Sequence, residues 1–397
     1  MSSEYASKSR CPVCMATDIT VFIEISQVPI HCNLLWPTRD EAIHAPTGDI
    51  RIGFCGNCCH IFNLAFDPYF MKYFKDYENC LHFSPSFQSY ATSLAARLIK
   101  QYDLHNKEII ELGCGNGDFL ALLCKLGGNR GVGFDPSLVH KQTLSTPTEN
   151  ITFIKDFYSE RYSNYKADFI CCRHVLEHIQ SPRDFLINLN NAIGTRLNTV
   201  IFFEVPNVLF ILRDLSIFDI IYEHCSYFSS QSLFRVFTSC GFTVINVTES
   251  FEGQFLCIEA ISEERLENFP IESQDGLDKI KRYVIEFATN YQSKVNEWKH
   301  KLEQLKYGGK RTVVWGAGSK GVTFLNTFKL RNQIEYIVDI NPRKHNMFIP
   351  KTAQQIVPPS FLQDYRPDII LVMNPIYMDE ISQLVSNMGL TTELVLV

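Results

Sequence analysis

A strand that runs into closely spaced glycines constrains this chain more than any other feature. Residues 108–119 read Glu-Ile-Ile-Glu-Leu-Gly-Cys-Gly-Asn-Gly-Asp-Phe. The β-branched pair Ile109 and Ile110 predicts a strand, and the pattern from Asp118 onward predicts a helix directly after the turn. Only glycine leaves room for the backbone of such a turn to approach a ligand closely. The segment therefore predicts a strand–turn–helix unit that binds a ligand.

The spacing of these glycines separates two kinds of nucleotide site. Gly113, Gly115 and Gly117 give G-x-G-x-G, whereas the dinucleotide fingerprint is G-x-G-x-x-G. Glu111 also closes the strand just before the turn. The E-x-G-x-G-x-G form resembles motif I of the class I S-adenosylmethionine (SAM) methyltransferases. That resemblance implies a Rossmann-like α/β core that binds SAM, with contacts from Glu111, Gly113, Cys114 and Gly115.

Two later segments follow the glycine turn in the order that this fold requires. Residues 131–134 predict a second strand, and Asp135 follows it about twenty residues after the turn, where a carboxylate can accept both ribose hydroxyls of a nucleoside. Residues 151–155 predict a third strand. Asp156 and Phe157 end it, and they suit an adenine amino group and an adenine face.

A fourth strand is predicted over 167–172, and it leads into the run Arg-His-Val-Leu-Glu-His at 173–178. This run resembles the fourth motif of many small-molecule methyltransferases. The resemblance implies that His174 lines the SAM site, whereas Glu177 and His178 are expected to be architectural. The alternative is a generic βαβ repeat with acids at its strand ends by chance.

Two Cys-x-x-Cys pairs near the N-terminus predict a structural zinc site. The pairs are Cys11 with Cys14 and Cys55 with Cys58. Each tight turn places two thiolates on one side, and two pairs complete a tetrahedral Zn²⁺ shell. Because Cys59 follows directly, the fourth ligand can shift by one position. A shell of four cysteines leaves no coordination position for catalysis, so a structural ion is expected. Free buried cysteines are the alternative.

Length, charge and cysteine content fit a multidomain enzyme of a reducing compartment. A chain of 397 residues suggests two to three domains, and a net charge of −6 argues against a nucleic-acid surface. No signal peptide is recognised over 1–10, and charged residues interrupt the apolar stretch 200–222, so no membrane span is expected. Fourteen cysteines without a secretory signal suggest reduced thiols plus a metal site. A cytoplasmic location is expected.

The last third of the chain predicts a second nucleotide-like unit. Residues 273–308 have the apolar spacing of one long amphipathic helix. Beyond it, Gly316, Gly318 and Gly321 form a G-x-G-x-x-G after a predicted strand, and Asp339 closes the next strand. Taken alone, this pattern predicts an NAD site. The preferred interpretation is a Rossmann-like domain without a redox cofactor, since a fold does not fix a ligand.

The order of these units resembles the sugar C-methyltransferase family of deoxysugar biosynthesis. The shared layout is a cysteine zinc domain, a SAM core with Glu-His-x-x-Tyr-Phe at 223–228, and a C-terminal G-x-G-x-K-G domain. The resemblance implies three domains: a zinc-binding domain at 1–75, a methyltransferase core at 76–262, and a linker helix with a Rossmann-like domain on the acceptor side at 263–397. It also implies an acceptor that is a nucleotide-linked 4-keto sugar, methylated on the carbon beside the ketone.

That chemistry assigns roles to the aromatic segment around the Glu-His pair. A carbon beside a ketone becomes a nucleophile only after it loses a proton, so a base is needed. His224 is the candidate because histidine is neutral near pH 7, and Glu223 either orients it or shares the proton transfer. Tyr222, Tyr227 or Tyr77 can donate to the enolate oxygen. In the family pattern one residue separates the tyrosine from the Glu-His pair. Here Tyr222 abuts Glu223, so the direction of Tyr222 stays open.

Two other functions remain compatible with the sequence. One is a SAM-dependent enzyme that methylates carbon, oxygen or nitrogen of another small metabolite. The other is a non-catalytic binding module that keeps a SAM fold. The acids Glu111, Asp135 and Asp156 argue against the binding module, because a protein that no longer bound SAM would have no need of them.

Overall fold

Three β-sheets organise the chain in the computed structural model, which describes residues 10–71, 77–138, 150–194, 196, 198–262 and 274–397. The helices among them are α1 (Arg39–Ile43), α2 (Pro85–Tyr102), α3 (Asp118–Gly127), α4 (Pro182–Ile193), α5 (Val208–Arg213), α6 (Ser230–Ser239), α7 (Gln274–Tyr307), α8 (Ser319–Thr327), α9 (Leu362–Tyr365) and α10 (Met378–Asn387).

The first sheet is antiparallel and takes one strand from the middle of the chain. Its strands, in spatial order, are β1 (Ile19–Pro29), β2 (Thr47–Cys55), β3 (Ile61–Asn63) and β9 (Ser226–Tyr227). Ile61 pairs with Tyr227, and Phe62 pairs with Ser226. The Glu223–His224 pair lies just before β9, so this pairing holds it against the N-terminal sheet.

The second sheet has seven strands and carries the glycine turn. Its strands are β4 (Glu108–Leu112), β5 (Arg130–Phe134), β6 (Ile151–Ile154), β7 (Phe169–Arg173), β8 (Val200–Pro206), β10 (Thr243–Ser250) and β11 (Phe255–Ile261). They lie in the order β10-β11-β8-β7-β4-β5-β6. Strands β4 to β8 pair in parallel, and β11 is antiparallel to both of its neighbours. The predicted fold class, a class I methyltransferase core, is confirmed.

The strand order of this sheet also places its ligand edge. The chain builds β5 and β6 on one side of β4 and then crosses to β7 and β8 on the other side. Ligands of open α/β sheets bind at such a switch point, outside the carboxyl ends of the strands. The glycine turn follows β4 at that edge.

The third sheet is parallel throughout. Its strands are β12 (Thr312–Trp315), β13 (Tyr336–Val338), β14 (Gln355–Val357), β15 (Ile369–Val372) and β16 (Glu393–Leu396), in the order β14-β13-β12-β15-β16. The second glycine turn joins β12 to α8. A Cβ on Gly321 would lie 2.1 Å from the carbonyl oxygen of Gly316, so glycine is required there for α8 to pack on the sheet.

Helix α7 joins the first and third sheets through one apolar core. The helix predicted over 273–308 is observed as Gln274–Tyr307. Phe287 packs edge-to-face on Phe22 of β1, with ring centroids 6.5 Å apart. Eleven residues further along, the ring centroid of Trp298 lies 5.5 Å from that of Phe324 in α8. The third sheet is thereby fixed against the rest of the molecule.

The proposed division into domains stays a prediction. The boundary after residue 75 falls within 72–76, and the boundary after residue 262 is followed by 263–273, so both touch residues outside the described ranges. Among the described helices, none combines the length and the apolar character needed to cross a bilayer.

Candidate active site

The first glycine turn has a backbone that only glycine adopts easily. Gly113, Gly115 and Gly117 have φ values of +66°, +52° and +78°. A Cβ on Gly113 would lie 2.3 Å from a methyl carbon of Val175, whereas a Cβ on Gly115 would meet nothing within 4 Å. The Gly115 N–H donates to the Asp135 carboxylate at 2.9 Å. Gly115 therefore faces open space, and Asp135 holds the turn in place.

A cavity of about 600 Å³ opens at this edge of the second sheet. This first cavity is within the size range of small-molecule sites. All the residues that the sequence assigns to SAM line it: Glu111, Gly113, Cys114, Gly115, Asp135, Asp156, Phe157 and His174. The structure thus brings the whole predicted set to one place.

The two acids at the ends of β5 and β6 are partly engaged within the protein. One oxygen of Asp135 accepts from the Ser137 N–H at 2.7 Å, and the other accepts from the glycine turn. The Asp156 carboxylate accepts from the backbone N–H of Phe157 at 2.8 Å and from the Tyr162 hydroxyl at 2.6 Å. Each carboxylate has about four lone-pair sites, so each retains capacity for a ligand hydroxyl or amine. The ring of Phe157 is 61% exposed, so a ligand can stack on its face.

Glu111 acts on the helix that follows the turn. Its carboxylate is buried and accepts from the Leu120 N–H of α3 at 3.1 Å. Burial raises the pKa of Glu111 to about 8, against the opposing effect of the Arg173 guanidinium. This side chain therefore links the end of β4 to the first turn of α3.

A buried ion pair fixes the position of His174. Arg173 donates to one oxygen of Glu204 from Nη2 at 2.8 Å and from Nε at 3.0 Å. The His174 Nε2 lies 2.8 Å from the same oxygen. Burial alone would raise the pKa of Glu204, but Arg173 and His174 lower it to about 2. An ionised carboxylate thus anchors His174, and this contact offsets the cost of the left-handed backbone at that residue, where φ is +55°.

A second cavity, of about 330 Å³, lies where the carboxyl edges of the second and third sheets meet. The core contributes Asn207 and His224 to it, and the third sheet contributes the turn 316–321 and Lys344. Six residues line both cavities: Tyr77, Asn79, Cys80, Leu81, His174 and His178. The two cavities therefore share one wall.

The adjacent residues Glu223 and His224 face different cavities. Glu223 lines the first cavity, where one oxygen accepts from the Cys32 N–H at 2.9 Å and the other lies 3.5 Å from His31 Nδ1. His224 lines the second cavity. Burial, followed by the neighbouring His178 and His174, lowers the pKa of His224 well below 6.5. The imidazole of His224 is therefore neutral at pH 7.

Tyr77 lies beside Glu223 on the shared wall. Its hydroxyl accepts from Asn33 Nδ2 at 3.5 Å. Burial, and then the carboxylate of Glu223, raise the pKa of Tyr77 well above its usual value of 10. The phenol therefore remains protonated and can donate a hydrogen bond toward either cavity.

His178 and Glu177, which the sequence analysis expected to be architectural, lie next to His224. The His178 ring centroid is 4.9 Å from that of His224, and its Nδ1 is 2.9 Å from the Glu223 carbonyl oxygen. Glu177 is 2% exposed and lies 3.8 Å from His174 Nδ1. The two histidines and the acid in the run at 173–178 were the only sequence pattern that could have marked these residues as part of the site. The sequence could not show that they lie next to His224.

Neither Tyr222 nor Tyr227 lines the first or the second cavity. The Tyr222 ring covers Gly48, where a Cβ would lie 2.5 Å from Cε2, and its hydroxyl accepts from the Asp67 N–H at 3.0 Å. The Tyr227 hydroxyl donates to the Ile221 carbonyl at 3.0 Å. Both tyrosines hold the chain around the Glu-His pair.

The four cysteines of the two pairs converge, and the two turns have the same hydrogen bonds. The Met15 N–H donates to the Cys11 carbonyl at 2.9 Å, and the Cys59 N–H donates to the Cys55 carbonyl at 2.8 Å. Met15 and Cys59 both have positive φ, at +63° and +55°. Cys59 is therefore the turn residue of the second knuckle, and Cys58 is the residue that joins the cluster.

The spacing of the sulfurs suits a four-coordinate ion. Sγ of Cys11 and Cys58 lie 3.4 Å apart, and Sγ of Cys14 and Cys55 lie 3.5 Å apart. All four sulfurs lie within 4.8 Å of one another and none is in a disulfide. Zinc–sulfur bonds of about 2.3 Å in a tetrahedron place the sulfurs roughly 3.8 Å apart. The cluster is compatible with zinc.

The second glycine turn is held in the same way as the first. One oxygen of Asp339 accepts from the Ala317 N–H at 2.9 Å, and the other accepts from the Asn341 N–H at 2.8 Å. The buried Lys344 donates to the Ala317 carbonyl at 2.9 Å and lies 3.5 Å from Asp339. An acid after the next strand thus orders both turns.

Comparisons with known proteins match two parts of the chain. Residues 87–247 match a family described as a methyltransferase domain, and residues 260–392 match the C-methyltransferase C-terminal domain. C-methyltransferase NovU from Streptomyces niveus is 24% identical over 289 residues, which cover 69% of this chain and 67% of that protein.

Similar solved structures include magnesium protoporphyrin IX methyltransferase from Synechocystis, with 16% identity, a TM-score of 0.34, and coverage of 44% of this chain and 83% of that one. Human N-acetylserotonin methyltransferase has 16% identity and a TM-score of 0.36, covering 45% of this chain and 55% of that one. The strand order of the second sheet defines its fold independently of these similarities.

The contacts of Tyr222 predict a structural role for its hydroxyl. Replacing Tyr222 by Phe removes the hydroxyl that accepts from the Asp67 N–H, so the free energy of unfolding should fall by about 1 kcal/mol. Urea denaturation measures the change. The control is Tyr69→Phe, because Tyr69 is 73% exposed and the substitution should change stability by less than about 0.5 kcal/mol. Equal effects of the two substitutions would contradict this role.

Proposed function

We propose that this chain, which belongs to the SAM-dependent C-methyltransferase family, methylates the carbon beside the ketone of a nucleotide-linked deoxysugar. The shared wall of the two cavities is the observation that carries this proposal. SAM in the first cavity and a ketone in the second would meet across Tyr77, His174 and His178.

The first cavity suits SAM in shape and in charge. Asp135 would accept ribose hydroxyls, Asp156 and Phe157 would receive the adenine, and the open face of Gly115 leaves room for the backbone to approach the cofactor. The carboxylates that line the cavity would balance the positive charge of the sulfonium. They are Glu78, Asp118, Asp135, Asp156 and Glu223. SAM supplies the methyl group, and every other step falls to the protein.

His224 supplies the base. Its neutral imidazole can accept a proton at pH 7, and Nδ1 is buried with no hydrogen-bond partner among the described residues. The proton leaves the carbon beside the ketone for the imidazole, and the electron pair of that C–H bond delocalises as an enolate. The carbon then attacks the methyl group, a C–C bond forms, and the C–S electron pair stays on sulfur.

Tyr77 would stabilise the enolate. The phenol lines both cavities and stays protonated, so it can donate to the oxygen where negative charge develops. Glu223 would orient Tyr77 rather than His224, because its carboxylate faces the first cavity next to the phenol. The single O–H of Tyr77 would turn from Glu223 to the enolate oxygen when the enolate forms. His178 replaces Glu223 as the neighbour that positions the base, through its ring contact with His224.

The third sheet suits the nucleotide part of the acceptor. Helix α8 begins at the second glycine turn, and no side chain caps its N-terminus. Gly318, Ser319 and Lys320 of that turn line the second cavity. Free N–H groups at a helix N-terminus favour a phosphate. This arrangement supports an acceptor whose diphosphate lies on the third sheet and whose ketone reaches His224.

Hydrogen exchange at the acceptor carbon tests the base directly. In deuterated water without SAM, the wild-type enzyme should exchange the hydrogen beside the ketone of its nucleotide-linked sugar, as followed by NMR. His224→Asn should lose both this exchange and methyl transfer by about a hundredfold or more, because the proton has no acceptor.

The control for this experiment is His300→Asn on α7, since His300 is exposed and lines neither cavity. It should leave both rates unchanged. Unaltered exchange and transfer in His224→Asn would refute His224 as the base. Exchange with a ketone that is not a sugar, and with no nucleotide-linked sugar, would refute the proposed acceptor.

The cysteine cluster would hold one structural zinc ion. Cys58→Ser should remove the metal and lower the melting temperature, because a structural zinc contributes directly to folding. Metal analysis of the purified protein gives the zinc content, and calorimetry gives the melting temperature.

Cys59→Ser is the matched control, since Cys59 neighbours the cluster but forms the turn. It should keep one zinc ion per chain. Loss of zinc in Cys59→Ser but not in Cys58→Ser would overturn the assignment of the fourth ligand, and wild-type protein without zinc would overturn the site.

A further inference from the structure

The methionyl end of SAM carries an α-carboxylate, which needs a positive partner in a cavity rich in acids. Among the described residues that line the first cavity, two carry a permanent positive charge, Arg173 and Arg343. The acids outnumber them, so an unpaired ligand carboxylate would be repelled there. The partner of this carboxylate should therefore be one of the two arginines.

Arg173 is already committed within the protein. Its guanidinium donates twice to Glu204 and lies over the ring of Phe119, 4.1 Å from the centroid. Its side chain is 7% exposed. Moving it to a ligand would leave the Glu204 carboxylate buried without its main counter-charge, which is costly.

Arg343 keeps hydrogen-bond donors available for a ligand. It comes from the third sheet's side of the molecule, in the turn Pro342–Lys344 that follows β13. Its side chain is half-exposed, and Nη1 donates to Glu78 at 3.3 Å. Asn341 also donates to Glu78, at 3.1 Å, which holds this turn against the core. A guanidinium has five donors, so the contact with Glu78 leaves others for a carboxylate.

The position of Arg343 along the cavity matches the methionyl end. Asp135, Asp156 and Phe157 form the end that suits the nucleoside. The segment that begins at Glu78 lies over the first turn of α3, where Cys80 Sγ is 3.7 Å from the Asp118 carboxylate. Arg343 is tied to this segment through Glu78. The amino-acid end of a SAM molecule that points away from the adenine site therefore extends toward Arg343.

We infer that Arg343 binds the α-carboxylate of SAM, so that the C-terminal part of the chain completes the cofactor site. The same turn also reaches the other ligand, because Asn341 and Lys344, on either side of Arg343, line the second cavity. One turn would thus contact the donor and the acceptor at once. The inference rests on the SAM site of the proposed function.

Binding of two ligands that differ only at the amino-acid end tests this inference. S-adenosylhomocysteine has the carboxylate, and 5′-methylthioadenosine lacks the amino-acid group. In calorimetric titrations without acceptor, Arg343→Met should weaken S-adenosylhomocysteine binding tenfold or more and change 5′-methylthioadenosine binding less than twofold. Arg343→Lys, which keeps the charge but loses the bidentate fork, should fall between Arg343→Met and wild type.

Arg366→Met is the control, because Arg366 is exposed on the same part of the chain and lines neither cavity. It should bind both ligands as the wild type does. Equal weakening of both ligands in Arg343→Met, or no weakening, would overturn the inference, as would an effect limited to the KM of the acceptor. A wild-type protein that binds neither ligand would overturn the proposed SAM site as well.

Discussion

The pairing of β9 with β3 is the contact on which the candidate active site depends. Through this pairing, two residues from the middle of the chain form a strand of the N-terminal sheet instead of the methyltransferase core. The Asn63 N–H also donates to the Cys225 carbonyl at 3.0 Å, directly after the Glu-His pair. This crossing presents Glu223 to one cavity and His224 to the other. The cysteine knuckles lie at the ends of the same N-terminal strands, so a metal there would stabilise the sheet that positions the base.

Two similar units then face each other across the site. In both sheets the strand order reverses at a central strand, and a glycine turn follows that strand. In both, an acid after the next strand accepts a hydrogen bond from a backbone N–H of the turn. Because the carboxyl edges of the two sheets meet, the cavity of one opens beside the cavity of the other. Helix α7 and its apolar core keep the sheets in this relation. Adjacent ligand sites are what methyl transfer requires, since the reacting atoms must come into direct contact.

Local sequence patterns predicted the parts of this molecule whose structure is decided locally. The glycine spacing at 113–117 predicted a turn between a strand and a helix, and the structure has that turn, with left-handed backbone at each glycine. The helix over 273–308 was predicted to within a few residues from periodicity. The family resemblance drawn from the order of the motifs was confirmed by both matched domains and by the relative.

Contacts between distant segments were beyond what the sequence could predict. Glu223 accepts from the N–H of Cys32, 191 residues away, and it lines the first cavity whereas His224 lines the second. The choice between Cys58 and Cys59 depended on a left-handed turn residue that no local pattern marks in a cysteine. Arg343 reaches the first cavity from the far end of the chain because α7 folds the third sheet back onto the core. Such side-chain directions follow from packing, which periodicity does not encode.

The separation of the ligands in a ternary complex tests the account most directly. A crystal structure with S-adenosylhomocysteine and a nucleotide-linked keto sugar measures the distance from the sulfur to the carbon beside the ketone. The account predicts the sulfur in the first cavity and the ketone in the second, beside His224. The sulfur and the carbon beside the ketone should be separated by a gap that one methyl group fills. An acceptor bound outside the second cavity, or a sulfur that faces away from the shared wall, would contradict it.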